Sequence, residues 1–457
     1  MVKPTVFITN FHPFTTRNIF DTGVLDLIAQ GATRVIAFVP KNKEELMRRL
    51  YQKHNITIEG FDDSSLTKGR ESLFYPISET LIDTRTKRDH QLKYRLASKH
   101  PLRHIKYYLG MLSIRTLGQA TVVKKLFRVL ENRFYRPKHF QKYFEQYHPN
   151  LVFVTDLFAQ TDTLLLKETK QKNVKTVALV RSWDNTTNKS LLRIIPDRVI
   201  VQNEIMKDEM VKLHAISSSL ISVVGVPQFE YYLRYQPIGR EEFCKSLGLD
   251  PQRRIVLFAP AGDKFIGTDW QTCDILKRLQ QEQKIPQDVQ FLVRTHPHHF
   301  TDFSQFVSTV NFVIDDLGAD IKKLKPKEVE IDLSAVNHLA DSLYHSVVVI
   351  NVVSSLVVDA AIFDKPVITI GFNGWEKKVP YLRSVERVLR QEWLTVLNDS
   401  GVAPTVYNPQ QLADQLNKYL AHPEKDKELR DKFIKEHCYK FDGHAVERMA
   451  SAVLDND

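Results

Sequence analysis

Short runs of β-branched and aromatic residues recur along the chain, each followed by a turn and then by a longer stretch with helical spacing. In the first half such runs fall at 5–9, 33–39, 151–155, 175–180 and 198–202, with 56–59 a further candidate. Residues 221–230 read as the last strand of that half running into a connector. In the second half the runs fall at 254–259, 289–294, 347–350 and 367–370. Continuous apolar runs of this length suit strands buried on both faces. Helical spacing covers 17–30, ended by Gly31, then 160–171, and most of 409–453. Strands alternating with helices in this way predict parallel sheets made of βαβ units. Residues 60–84 read as an irregular connection, and 85–147 as mostly helical, broken at Pro101 and Pro137. Pro237, Gly239, Gly248 and Pro251 gather within 234–253 and mark a domain boundary there. The pattern predicts an α/β protein of two Rossmann-like domains facing a cleft. Their expected limits are 1–235, with a helical insertion at about 85–147, and 236–440, followed by a terminal helix over 441–457.

The segment 341–371 is the most informative. After the strand at 347–350 come Ser354 and Ser355, where the next helix should begin, and Lys365-Pro366 then ends that helix before the strand at 367–370. Serine is a favoured N-cap, and a helix start with free N–H groups and hydroxyls suits an anion. The second domain offers two further strand-to-helix loops, 259–264 and 294–299. Ligands of such sheets bind beyond the C-terminal ends of the strands, so the three loops are expected to converge. Gly262 permits close backbone approach and Lys264 could meet a phosphate, although each also suits an ordinary loop. His296, His298 and His299 bracket a proline without clustered carboxylates, so no metal is expected.

In the first domain, residues 181–189 read Arg-Ser-Trp-Asp-Asn-Thr-Thr-Asn-Lys, unusually polar after a buried strand. The face of Trp183 and the amide of Asn185 suit contacts to an acceptor sugar. Asp184 is a candidate general base for an acceptor hydroxyl, or else an Asx-turn residue. Asp156, at the end of the 151–155 strand, is the other candidate base.

Composition narrows the class. With 457 residues, 43% hydrophobic and 26% charged, the chain has the make-up of an ordinary globular protein of two or three domains. The net charge of +10 is concentrated: residues 85–150 hold 16 Lys and Arg against three Asp and Glu, interleaved with Tyr94, Tyr107, Tyr108, Leu109, Leu112, Phe127 and Phe134. That mixture suits an anionic membrane surface or nucleic acid, and equally a solvated helical face or an anionic substrate. No nucleic-acid module is visible, which favours a membrane or lipid-linked acceptor over nucleic acid. Cys244, Cys273 and Cys438 are widely spaced, which suggests a reducing compartment and no structural zinc. No apolar run reaches transmembrane length, and residues 1–8 lead straight into a strand without a secretory signal pattern. The expected location is therefore cytoplasmic, or peripheral at the inner face of the membrane. P-loop, Gly-x-Gly-x-x-Gly and His-Glu-x-x-His patterns are absent, which argues against NTPase, dehydrogenase and zincin chemistry.

The strand–Ser354-Ser355–helix–Lys365-Pro366–strand segment and the Arg294-Thr295-His296-Pro297 motif together resemble the donor domain of GT-B glycosyltransferases. The resemblance is closest to the branch of CDP-glycerol glycerophosphotransferases and capsule polysaccharide transferases. It spans roughly 151–453 and thins before that; the glycine-poor loop 10–17 departs from family members with a Gly-rich first turn. It implies that Ser354, Ser355 and His296, helped by Arg294, Lys264 and Gly262, hold the phosphates of a UDP-, CMP- or CDP-linked donor. His296 would also offset charge on the leaving group. Asp359 would contact the ribose, or else simply complement the helix dipole. Asn10, His12, Thr16 and Arg17, on the first strand-to-helix loop, would join Trp183 and Asn185 on the acceptor side. The resemblance thus implies a metal- and cofactor-independent transferase moving a sugar or polyol phosphate onto a surface-glycan or lipid-linked acceptor. A UDP-sugar 2-epimerase shares the fold and is the enzymatic rival, though it has no use for the basic segment. A non-catalytic polyanion- or membrane-binding protein of the same fold is the other.

Overall fold

A computed structural model describes residues 3–63, 66, 71–97, 100–295, 299–315, 333–352, 354–376 and 378–455. It divides into two compact units, Met1–Tyr231 with Glu436–Asp457, and Tyr232–Lys435.

The first unit is built on seven strands: β1 (Thr5–Thr9), β2 (Arg34–Pro40), β3 (Ile56–Phe61), β4 (Leu151–Val154), β5 (Lys175–Leu179), β6 (Arg198–Val201) and β7 (Ile221–Val223). Their order in the sheet is β3-β2-β1-β4-β5-β6-β7, with every pairing parallel. Helices cover both faces, which is why the strands are continuously apolar: Val6, Phe7, Ile8, Val152, Phe153 and Val154 are all fully buried.

The second unit is built on β8 (Arg254–Ala259), β9 (Val289–Arg294), β10 (Phe312–Asp315), β11 (Ser346–Asn351), β12 (Val367–Ile370) and β13 (Thr405–Val406). The order β10-β9-β8-β11-β12-β13 is again wholly parallel. Two Rossmann-like α/β units of this kind are the GT-B class. β10 and β13 were not expected from the sequence. Both are short edge strands, whose few residues leave little periodic signal.

Four local features differ from expectation. In place of one helix over 17–30, the chain makes a single turn at Pro13–Thr15, a π-helical turn at Thr16–Phe20 and a helix at Val24–Gly31. The break falls at Gly23, which takes φ 93°, a conformation open mainly to glycine. The 60–84 connection contains a helix, Glu71–Ser78, with Pro76 inside it. The first stretch of the first unit ends at Tyr231, and the chain returns to that unit at Glu436. Finally, the terminal helix Ala445–Leu454 is no separate body: Met449, Ala450, Ala452 and Val453 enter the core of the first unit beside Val24, Leu25 and Ile28.

The basic segment folds into helices at Arg85–Leu96, Pro101–Thr116, Thr121–Phe134 and Gln141–Tyr147. Thr121–Phe134 buries charged residues beside Phe127 and exposes apolar ones. Lys124, Arg128 and Glu131 are buried on one side, while Val122, Leu126, Val129 and Phe134 are each more than half exposed on the other. Pro101–Thr116 exposes Leu102, Ile105, Tyr108, Leu109 and Leu112 in the same way.

Candidate functional site

In a parallel sheet the favoured ligand position is beyond the C-terminal strand ends where the strand order reverses. In the second unit the order reverses between β8 and β11, whose ends pair Ala259 with Asn351. The loops leaving these two strands carry Gly262 and Lys264 on one side and Ser354 and Ser355 on the other. Gly262 has φ +90, and a Cβ there would lie 2.7 Å from the Cβ of His299. Its N–H donates to Asp269 Oδ2 at 2.8 Å, and the Asp263 N–H donates to the Phe300 carbonyl at 2.8 Å. The β8 loop is thereby tied to the loop that follows β9. Asp269 is fully buried, and that burial pushes its carboxyl up to about 7. Lys264 is exposed on the same loop. After β11, the Leu356 N–H donates to Ser354 Oγ at 3.1 Å, a serine turn just before the helix Leu356–Ile362, whose N-cap Ser355 makes no side-chain capping bond. Ser355 is exposed, and its hydroxyl has no hydrogen-bond partner among the described residues.

Two expected donor residues are engaged elsewhere. Arg294, at the end of β9, is buried: its Nε lies 3.8 Å from Asp315 Oδ2 and its Nη2 donates to the Ala335 carbonyl at 3.4 Å. The same Asp315 oxygen also meets His338 Nε2 at 2.7 Å. Asp359 is buried, with its Oδ1 accepting the Tyr232 hydroxyl at 2.8 Å. His296 lies outside the described residues.

In the first unit the reversal falls between β1 and β4. Here the strand ends carry a buried polar cluster. Thr9 Oγ1 donates to Asp162 Oδ1 at 2.5 Å and accepts the Thr155 N–H at 3.0 Å, while Thr155 Oγ1 donates to the Thr9 carbonyl at 2.8 Å. Asp156 follows at once. Its N–H donates to Asp162 Oδ1 at 3.3 Å, and its Oδ2 accepts Arg181 Nε at 2.7 Å. Asp156 Oδ1 has no partner among the described residues. Asp162 is fully buried; burial, reinforced by the neighbouring Asp156, pushes its carboxyl up to about 7. The sequence reading missed Asp162 and Asp269. Each stands in the first turn of a helix that follows a sheet strand, a signal that could have found them.

The remaining acceptor-side candidates divide. Asn10 is buried and exchanges hydrogen bonds with Thr16 at 3.0 and 3.2 Å, so it holds the β1 loop in shape. His12 caps the Pro13–Thr15 turn, its Nδ1 accepting the Phe14 N–H at 3.2 Å, and it stacks on Phe14. Arg17 is half-buried on the π-helical turn. Asp184 accepts Ser182 Oγ at 2.5 Å and Asn188 Nδ2 at 2.7 Å, so its carboxylate is taken up within its own loop. Asn185 beside it is buried, and Trp183 is half-buried with its ring edge-on to His437. This loop follows β5, one strand away from the reversal. Among the described residues no group of three His, Cys, Asp or Glu side chains is arranged to hold a metal.

A family model for CDP-glycerol:poly(glycerophosphate) glycerophosphotransferase matches residues 162–455, well over half of the chain. No curated protein sequence matches it. A glycosyltransferase from Rickettsia africae ESF-5 has a similar fold, with TM-score 0.51 and 12% identity, covering 100% of both chains. The UDP-GlcNAc 2-epimerase of Neisseria meningitidis, solved with UDP-GlcNAc bound, gives TM-score 0.52 and 12% identity over 99% of this chain and 100% of that one. At that identity these two structures speak to the fold alone, and both agree with the paired parallel sheets described above. The sequence match supplies what fold cannot: the chain belongs to the CDP-glycerol glycerophosphotransferase family, and is a transferase that draws on a nucleotide-activated donor.

Proposed function

We propose that the chain transfers a polyol phosphate, of the glycerol phosphate type, from a CDP-linked donor to a hydroxyl of a surface polymer or lipid-linked acceptor. The observation that carries this is the pair of loops at the strand-order reversal of the second unit. The Ser355 hydroxyl there is exposed with no hydrogen-bond partner among the described residues, and Lys264 is exposed on the other loop. These loops lie within the stretch matched by the family model. In this reading they hold the donor phosphates, with Ser354, Lys264 and His296 as further ligands. The acceptor oxygen attacks the phosphorus bearing the polyol. The bond from that phosphorus to the bridging oxygen breaks, and CMP leaves with the bridging oxygen. Asp156 takes the acceptor proton. It stands at the reversal point of the first unit with one carboxylate oxygen buried and without a partner among the described residues, whereas Asp184 is bonded within its own loop.

The epimerase reading predicts a different product, since no acceptor is consumed. The two are separated by nucleotide-dependent stabilisation followed by product analysis. A ligand at about 100 times its dissociation constant adds roughly 2.7 kcal/mol of stability. The expected outcome is a rise in Tm with CDP or CMP that exceeds the rise with UDP, and that is largely lost in Ser354→Ala/Ser355→Ala. A larger response to UDP, or none to any nucleotide, would sink the CDP-linked reading.

The acceptor side includes, in the same reading, an anionic membrane surface. Two neighbouring helices with outward apolar stripes, flanked by exposed Lys106, Arg115, Lys125, Arg133 and Arg136, match a bilayer interface in both polarity and charge. No helix among the described residues is long and apolar enough to cross a membrane, so the contact would be peripheral.

A further inference from the structure

The first unit has a cavity of about 520 Å³ that none of the chemistry above uses. Arg128, Val129, Asn132, Tyr135 and Arg136 line one side, and Lys167, Lys170 and Gln171 with Ile194 and Ile195 the other. Lys170 and Gln171 end the helix leading into β5, and Ile194 and Ile195 lead into β6. The cavity therefore lies toward the N-terminal ends of the strands, away from Asp156 at the C-terminal ends.

Its wall includes a buried cation, Arg128, that meets no carboxylate among the described residues. Glu131 is fully buried, and its Oε1 alone accepts Lys167 Nζ at 2.5 Å, Arg193 Nε at 2.8 Å and Arg193 Nη2. Glu131 thus bonds both Lys167 and Arg193 beside the cavity. Arg128 is 5% exposed and meets only carbonyls, donating from Nε to Leu192 at 2.7 Å and from Nη2 to His214. No carboxylate pairs with it among the described residues, and its Nη1 has no partner. Burial lowers its pKa to about 10, as expected for a cation deprived of water and of a counter-charge. At the rim Lys170 meets Asp197, while Arg136 is exposed with no acidic partner among the described residues. Buried charge without a partner is costly, and an anion entering from outside offsets it. Arginine's planar fork favours phosphate oxygens. Beside these cations the apolar Val129, Tyr135, Ile194 and Ile195 offer contact to a carbon skeleton, and Val129 also belongs to the exposed stripe of Thr121–Phe134.

We infer that this cavity is a second ligand site of the protein, one that takes a phosphate group, either free or as the headgroup of a phospholipid. The site does not depend on the donor loops of the second unit. Only the lipid source rests on the membrane-facing reading of the exposed apolar stripes.

Equilibrium binding to the full chain tests it, with inorganic pyrophosphate and monomeric dihexanoyl-phosphatidylglycerol as probes. Both are measured in the Ser354→Ala/Ser355→Ala background so that the donor loops contribute little. Both rim cations can be removed without touching the core. The expected result is binding of at least one probe that weakens on the order of tenfold or more in Arg136→Ala/Lys170→Ala, the loss of one charge-assisted contact. The Tm rise caused by CDP in the otherwise native chain should be unchanged by the same pair. Stronger retention of the lipid assigns a headgroup, and pyrophosphate alone assigns a soluble ligand; both support a phosphate site. Equal affinity with and without the rim cations, or no binding of either probe, overturns it, while the CDP response reports separately on the donor loops.

Discussion

In the first unit the strand order reverses between β1 and β4, and the loops there hold carboxylates: Asp156 paired with Arg181, and Asp162 buried behind it against Thr9. In the second unit it reverses between β8 and β11, and the loops there hold a left-handed glycine, two serines and the exposed Lys264 beside the exposed Asp263, while Asp269 is turned inward to bind the Gly262 N–H. The same topology thus finishes in two kinds of chemistry. One end can accept a proton. The other exposes the Ser355 hydroxyl and the Lys264 ammonium, with its loop N–H groups at Gly262, Asp263 and Leu356 already bonded within the protein. Parallel sheets supply the position in both cases, and a few loop residues decide what the position does.

The sharpest way to break this contrast is Asp156→Asn. Losing a general base costs on the order of a hundredfold to ten-thousandfold in kcat, while CDP should still raise Tm as in the native chain. A variant of normal kcat would remove the proton-accepting role from the first unit. The next largest effect is expected at Gly262→Ala. A Cβ would meet that of His299 at 2.7 Å and force a left-handed conformation, costing about 1–3 kcal/mol and loosening the donor loops. Chemical denaturation should show the loss of stability and nucleotide titration the loss of affinity. An unchanged protein would mean that the β8 loop is not held as described.

The smallest effect concerns the buried acid. The Asp162 carboxyl is raised from 3.8 to about 7, so its contribution to stability is fully present below 3.8 and is lost as pH rises through about 7. Asp162→Asn does not titrate. Between about pH 5 and about pH 8 the native chain should lose more stability than the variant, read from urea unfolding at both values. Parallel losses in the two proteins would show that Asp162 is not titrating in the folded state. Glu168 and Asp269 are raised to about 7 as well, so the variant should keep part of the slope.

Much of this molecule can be read from its residue pattern. The long central strands are continuous apolar runs, and burial on both faces of a parallel sheet is what selects such runs, so their places and the α/β class follow from sequence alone. The Ser354-Ser355 turn and the Gly262 loop are equally local, because serine turns and left-handed backbone are properties of a few adjacent residues. Edge strands β10 and β13 carry too few residues for a period to show, and the return of Ala445–Leu454 to the first unit depends on packing partners more than two hundred residues away. Side-chain partners were decided in the same way. Arg294 was drawn to Asp315 on the neighbouring strand, Asp359 to Tyr232 and Asp184 to its own loop, while Asp162, unremarkable in sequence, was desolvated beside Asp156. The sequence by itself determined the central strands, the sheet class and the loops that end those strands, because these rest on periodicity and local backbone chemistry. Only the tertiary structure decided which charges are spent on one another and which are left over, because that depends on burial and on neighbours brought together by folding.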